Sequence, residues 1–175
     1  MRLFIACTPG SALRTELQSL QSRLRASART GRFVAPELLH LTVAFLGEQP
    51  DTSAAVAALE GVAGSPFTLA LDRLGHFPRE GGDIWWLGAA PSPPLTALHR
   101  RLSVQLERQG FALERRPFRP HLTLGYRVVL PAGFDPRPLL EFPLSLAVDH
   151  LSLMESRREA GRLRYPELYR RTLTE

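Results

Sequence analysis

The residues of this chain best suited to chemistry form one pattern written twice, His40-Leu41-Thr42-Val43 and His121-Leu122-Thr123-Leu124. Each belongs to an apolar, β-favouring run, Leu38 to Leu46 for the first and Leu122 to Leu130 for the second. Strand side chains alternate between faces, so His40 and Thr42 share one face, with Cα atoms about 7 Å apart, while Leu41, Val43 and Phe45 take the other. The same parity groups His121 with Thr123 and sets Leu122 and Leu124 opposite. An imidazole titrates near pH 6.5, about where general acid–base work at neutral pH needs it. One neutral histidine can remove a proton from water while one protonated histidine delivers a proton to a leaving oxygen. Two hydroxyls on the same faces can donate to the non-bridging oxygens of a tetrahedral anion held between them. A phosphodiester matches that demand, because in-line displacement needs base and acid on opposite sides of phosphorus. Two histidines with no carboxylate in either motif are too few for a typical zinc or two-metal site. The single cysteine, Cys7, lies in an apolar run without a neighbouring base, and reads as a small buried strand residue rather than a nucleophile.

Positioning these motifs takes a strand, a helix and the motif strand, and that order recurs. Residues 2–7 read as a strand, and Leu13, Leu17, Leu20 and Leu24 form one helical stripe that Gly31 closes. The second series is a strand from Ile84 to Ala90, a stripe of Leu95, Leu98, Leu102 and Leu106 closed by Gly110, and then the second motif strand. The motif histidines are 81 positions apart, as are Leu3 and Ile84, and the leucine stripes begin 82 apart. Near-constant offset marks a duplicated unit, whose two copies would bring their His-Thr faces together across a cleft. Between the units lie an alanine-rich helix with Asp51 as its N-cap, a strand from Phe67 to Leu74, and a loop from Gly75 to Gly82. Leu144 to Met154 alternates as one strand, and the tail from Arg162 to Leu173 fits either a strand or a helix.

Composition bounds the partners. At 175 residues, with 44% hydrophobic and 22% charged residues, the chain fits one soluble domain or two small lobes sharing a core. No apolar run approaches the roughly 20 residues that span a bilayer. The N-terminus lacks the length and cleavage pattern of a signal peptide, which makes the cytoplasm the expected location. Net charge is +5, and no lysine is present, so all 22 cations are arginine. A GC-rich coding sequence also drives arginine over lysine; the basic balance still favours a polyanionic partner.

The sequence resembles the 2H phosphoesterases, and among them the bacterial and archaeal RNA 2′,3′-cyclic phosphodiesterases, also called 2′-5′ RNA ligases. The resemblance runs through Arg2-Leu3-Phe4-Ile5-Ala6, Leu39-His40-Leu41-Thr42-Val43-Ala44-Phe45-Leu46-Gly47-Glu48, Trp86-Leu87-Gly88, and Phe118-Arg119-Pro120-His121-Leu122-Thr123-Leu124-Gly125. It implies an α+β, bilobal, duplicated fold over residues 1–175, a single domain of two pseudo-symmetric lobes, with two antiparallel sheets around a central basic cleft and helices outside. It further implies metal-independent opening of a 2′,3′-cyclic phosphate at an RNA 3′ end to a 2′-phosphate, without cofactor, with weak reverse 2′-5′ ligation. Carried over by position, His40 is the acid for the departing 3′ oxygen, His121 the base for water, and Thr42 and Thr123 the phosphate donors. Many members carry an arginine five residues after the second histidine, where this chain has Tyr126. Parity puts Arg119 and Arg127 on the His121 face, so either can take the phosphate contact. The expected partners are RNA 3′ ends or nucleotides bearing a 2′,3′-cyclic phosphate, with no membrane, and the chain is expected to be a monomer. A non-catalytic RNA-binding module and a 2′,5′-oligoadenylate phosphodiesterase are the rival readings.

The remaining candidates are weaker. His76 and Phe77 fall in the glycine-rich loop, where Phe77 is a candidate for stacking a substrate base. His99 and His150 match no motif position and read as structural. Trp85 and Trp86 adjoin in one strand, so one of them belongs to the core. The arginines 157, 158, 162 and 164 form either a backbone-tracking patch or a solvated basic face.

Overall fold

The computed structural model describes residues 1–175 as an α+β fold of ten strands and three helices. In chain order these are β1 (Arg2–Cys7), α1 (Ser11–Ser27), β2 (Thr30–Phe33), β3 (Leu41–Glu48), α2 (Ser53–Glu60), β4 (Phe67–Phe77) and β5 (Asp83–Ala89). They are followed by α3 (Pro93–Arg108), β6 (His121–Val129), β7 (Leu144–Val148), β8 (His150–Glu159), β9 (Arg162–Arg164) and β10 (Glu167–Thr172). The leucine stripes do what their spacing predicts: Leu13, Leu17, Leu20 and Leu24 of α1, and Leu95, Leu98, Leu102 and Leu106 of α3, are all buried. Each such side chain contributes roughly 1.5–3 kcal/mol when removed from water. Pro93 and Pro94 open α3, Ser92 Oγ accepts from Leu95 N at 3.3 Å, and Gly110 leaves the helix with φ +91°. In α2 the cap position is Thr52; Asp51 sits one residue earlier and its Oδ1 accepts from Ser53 N at 2.8 Å.

The strands pair antiparallel in the order β10-β8-β1-β3-β6-β5-β4-β7, with β2 added to β6 and β9 to β8. Two separate sheets were expected; instead the pairing is continuous, because Leu41 of β3 pairs with Leu122 of β6 and joins the halves at that one position. The arrangement is symmetric about this joint. β1 pairs with β3, β8 with β1 and β10 with β8 on one side; β5 pairs with β6, β4 with β5 and β7 with β4 on the other. Helices and one sheet face enclose a core of 33 buried residues, while Phe4, Ala6 and Met154 form a small separate cluster with Tyr165.

Three elements differ from the sequence expectation, and a fourth, left open, is settled. β4 does not stop at Leu74 but runs through Gly75 and His76 to Phe77. Glycine here is no breaker: Gly75 pairs with Trp86, and a Cβ on it would lie 2.2 Å from Trp86 Cη2, so its bare backbone is what the indole rests on. The run Leu144 to Met154 breaks at Asp149 into β7 and β8, which pair with β4 and β1 in opposite halves of the sheet. Gly31 does not close α1, which ends at Ser27; it lies within β2, an extra strand on β6. The tail, open between strand and helix in the sequence, forms the two strands β9 and β10.

Candidate active site

The Leu41–Leu122 pair places the two motifs against each other. Both leucines are fully buried on the core face, which turns His40, Thr42, His121 and Thr123 to the opposite face, all of them half-buried. One step to either side of the pair, antiparallel register sets His40 opposite Thr123 and Thr42 opposite His121. Each histidine therefore neighbours the other motif's threonine. The first histidine stands just before β3 and the second is the first residue of β6.

Both rings are fixed in the same way. His40 Nδ1 lies 2.7 Å from the carbonyl oxygen of Leu38, and His121 Nδ1 lies 2.7 Å from that of Arg119, in each case two residues back in the chain. A carbonyl oxygen only accepts, so Nδ1 carries the proton in both rings and Nε2 is left for chemistry. His40 Nε2 is 3.0 Å from Thr42 Oγ1. With His40 neutral, the threonine hydroxyl donates to Nε2. With His40 protonated, Nε2–H donates to Oγ1 and frees the hydroxyl proton for a bound anion.

Aromatic rings wall both histidines. Phe4 of β1 lies 5.0 Å from His40, and Tyr165 meets it edge-on at 5.2 Å. Across the joint, Phe77 of β4 meets His121 edge-on at 5.2 Å, and Trp86 of β5 lies 5.9 Å away. Burial pushes His40 below its ordinary pKa; the Leu38 carbonyl pulls the other way, and the neighbouring His121 charge adds to the lowering. Tyr165 is pushed up by burial and by Tyr126 nearby, against a smaller opposing effect of Arg2. Beyond His121 the cleft opens into a cavity of about 510 Å³ whose wall includes Phe77, Trp86, His99, Phe118, Arg119 and Arg73.

Of the residues expected from sequence, His40, Thr42, His121, Thr123, Phe77 and Arg119 converge here. Arg127 needs correction. Alternation from His121 fails to carry to it, because β6 shifts register against β5 between Trp86 and Trp85 and again between Trp85 and Asp83, and Arg127 itself has φ +52°. It is not part of the wall of the cavity beside His121. Trp85 is the core tryptophan and Trp86 the cleft one. His76 stacks on Trp85 at 4.7 Å and its Nδ1 donates to the Asp83 carboxylate at 2.8 Å, lining a different cavity from His121. His99, read as structural, stacks on Phe118 at 4.1 Å inside the His121 cavity. Cys7 is buried and its thiol is pushed up to about 12, first by burial and then by Asp149, which leaves it without thiolate at neutral pH. Sequence reading missed Phe4, Tyr165 and Arg73. For Arg73 a signal existed in Gly88, a glycine inside an apolar strand, which marks a close approach by a neighbour.

Two imidazoles on one face, either side of the Leu41–Leu122 joint, each with Nδ1 held and Nε2 left for chemistry, can pass a proton in and a proton out of a tetrahedral anion. The chain is similar to known proteins in both sequence and fold. The family model of the 2′-5′ RNA ligase superfamily matches residues 9–160. An RNA 2′,3′-cyclic phosphodiesterase of Escherichia coli is 40% identical over 148 residues, which are 83% of this chain and 81% of that protein. One of Thermus thermophilus is 33% identical over 170 residues, 89% of this chain and 82% of that protein. The crystal structure of E. coli LigT complexed with 3′-AMP superposes with a TM-score of 0.80 at 32% identity, covering 99% of this chain and 98% of that one.

Proposed function

We infer that this chain, which belongs to the 2′-5′ RNA ligase superfamily, is an RNA 2′,3′-cyclic phosphodiesterase that opens the cyclic phosphate at an RNA 3′ end and leaves a 2′-phosphate. The observation that carries this reading is the matched pair of Nδ1-anchored histidines on either side of the Leu41–Leu122 joint. His121 Nε2 takes a proton from water as its oxygen attacks phosphorus. His40 Nε2–H gives a proton to the 3′ oxygen as the P–O3′ bond breaks. Solvent restores both rings afterwards. Thr42 and Thr123 donate to the non-bridging oxygens, and Arg119, exposed in the same cavity wall, takes the phosphate contact in preference to Arg127. The lowered pKa of His40 fits an acid that gives up its proton readily once a bound phosphate anion has held it protonated. Phe77, beside His121, is positioned to stack a base.

Every proton transfer in this scheme uses a side chain already present, so it runs without metal or cofactor. The same residues, run in reverse with a 5′-hydroxyl in place of water, join a 2′,3′-cyclic end to a second strand. Water outcompetes that hydroxyl unless the site aligns it, so ligation is weak. The two symmetric halves are read as pseudo-symmetric lobes of one domain spanning residues 1–175, which acts as a monomer in the cytoplasm. No helix is long and apolar enough to cross a membrane. The test is incubation with a 2′,3′-cyclic-phosphate oligoribonucleotide in EDTA between about pH 5 and 8. Turnover to a 2′-phosphate end supports the reading, and no turnover anywhere in that range overturns it. A 2′,5′-linked oligoadenylate in parallel separates this activity from internal 2′,5′ cleavage.

A further inference from the structure

Beyond their inner walls the two halves of the cleft differ. Crossing the sheet outward from His121, the pairing runs to Gly88 of β5 and then to Arg73 of β4, all on one face. Gly88 offers no side chain, and a Cβ there would lie 3.0 Å from Arg73 Cγ, so the arginine stem lies across the glycine on the His121 side. The corresponding ground beyond His40 is filled. Thr8 and His150 hydrogen-bond to each other there at 3.2 Å, and His150 Nδ1 is held by Asp149. On the His40 side, then, this ground holds groups already bonded to one another, whereas on the His121 side it holds an arginine.

The open side is the cavity of about 510 Å³, within the roughly 300–1,000 Å³ of pockets that hold small ligands. Its wall holds two cations, Arg73 and Arg119, and the Phe118–His99 stack, whose planes lie within 2°. Helix α3 also borders it but supplies no free backbone donors. Pro93 and Pro94 have no N–H, while Leu95 N and Thr96 N are taken by Ser92. The positive charges that an anion meets in this cavity are therefore those of the two arginines, not of the helix terminus. Arg73 pairs with its neighbour Asp72 only through Nε, at 3.1 Å, and its outer nitrogens have no protein partner.

The geometry points to a second nucleotide subsite, in which Arg73 grips the phosphodiester on the 5′ side of the terminal nucleotide and the Phe118–His99 wall receives the upstream nucleoside. Two strand spacings separate Arg73 from His121, about 10 Å at Cα, and the length of the arginine shortens this to the scale of one nucleotide step. The subsite rests on the proposed cyclic phosphodiesterase reading and adds to it that the substrate is an oligonucleotide end rather than a cyclic mononucleotide.

The experiment compares kcat/KM for adenosine 2′,3′-cyclic phosphate with that for the dinucleotide ApA ending in the same cyclic phosphate. The wild-type protein is expected to favour the dinucleotide by tenfold or more, the scale of one charge-assisted contact. In Arg73→Ala that ratio is expected to fall about tenfold, and Arg73→Lys to recover part of it. A variant that folds poorly lowers both rates and leaves the ratio, so the ratio reports the contact. A wild-type ratio near one, or an Arg73→Ala ratio equal to wild type, overturns the subsite while leaving the activity standing. Turnover of neither substrate by the wild-type protein overturns the reading of the site itself, and the subsite with it.

Discussion

Leu41 and Leu122 pair at the only position where β3 and β6 meet in register, and the two motif histidines, His40 and His121, each sit one residue to the N-terminal side of that pair. Antiparallel strands related in this way place such neighbours on opposite sides of the joint and on the same face. A single hydrophobic contact, buried on the core side, thereby sets the two imidazoles on either side of one point. More extensive pairing would bind the strands together, whereas one joint lets them part and form a cleft.

Removal of either imidazole is expected to abolish nearly all turnover of a cyclic RNA end. His40→Ala and His121→Ala should each lose about 10²–10⁴-fold, the span of general acid–base catalysis. The double variant should be scarcely slower than either single one, since both groups serve one transition state. A substrate whose leaving group needs no proton assigns the roles: it should rescue His40→Ala and not His121→Ala. Rescue of His121→Ala instead would reverse the assignment, and near wild-type rates for both single variants would remove this site from consideration.

The threonines should matter less and in an uneven way. In the proposed reaction each donates one hydrogen bond to a charged oxygen, about 1.5–3 kcal/mol, so Thr42→Ala and Thr123→Ala should lose roughly 10- to 150-fold in kcat/KM. Thr42 also touches His40 Nε2 at 3.0 Å, whereas Thr123 has no such bond to its own histidine. Thr42→Ala should therefore shift the pH profile as well as its height, and Thr123→Ala only its height. Profiles of equal shape for both would count against the coupling of Thr42 to His40.

Titration of His40 should be displaced to the acid side. Burial lowers its folded pKa below the ordinary value of about 6.5, so the neutral ring prevails in the empty cleft at neutral pH. Its contribution to stability is present above about 6.5 and is lost as pH falls through the folded value, because there the unfolded chain takes up the proton first. As the acid, His40 must be protonated, so it supplies the alkaline limb of kcat/KM, and that limb should lie below 6.5. Proton NMR should follow the ring directly, with a midpoint below 6.5 in the free protein that rises when inorganic phosphate fills the site. A midpoint at or above 6.5 in the free protein would contradict the burial argument.

Much of this was legible because periodicity reports which face a residue takes. The leucine stripes of α1 and α3, the motif strands and the offset between them all survive in the fold. What periodicity does not report is a change of partner. Leu144, Leu146 and Val148 alternate at even positions and Leu151 and Leu153 at odd ones, so the phase slips at Asp149 and His150, but the slip does not announce that β7 and β8 belong to opposite halves. Tyr165 reaches His40 only because β9 and β10 fold the tail back along β8, a long-range event with no local signature. Arg127 was misplaced for the converse reason: parity was extended through two irregularities in β6 that the residue types do not announce.

Gly75 is where packing behind the site can be tested without touching a catalytic group. It pairs with Trp86, whose indole lies over it, and an alanine methyl would meet Cη2, Cζ2 and Cζ3 at 2.2, 2.4 and 2.6 Å. Trp86 in turn packs on Phe77 and His121, with ring centroids 5.4 and 5.9 Å away. In Gly75→Ala the indole must lift from the sheet, and the shift passes to the ring of His121, the base in the proposed reaction. Overpacking of this kind costs about 1–3 kcal/mol of stability. Displacing a reacting group by an ångström costs on the order of 10²-fold in rate. The loss should fall on kcat more than on KM, since phosphate is held by groups on the other strands. Adding Trp86→Phe, whose smaller ring leaves room for the methyl, should recover part of the stability in a double-mutant cycle, a non-additive result for residues in contact. Gly75→Ala with wild-type kcat and stability would show that the indole does not set the position of His121.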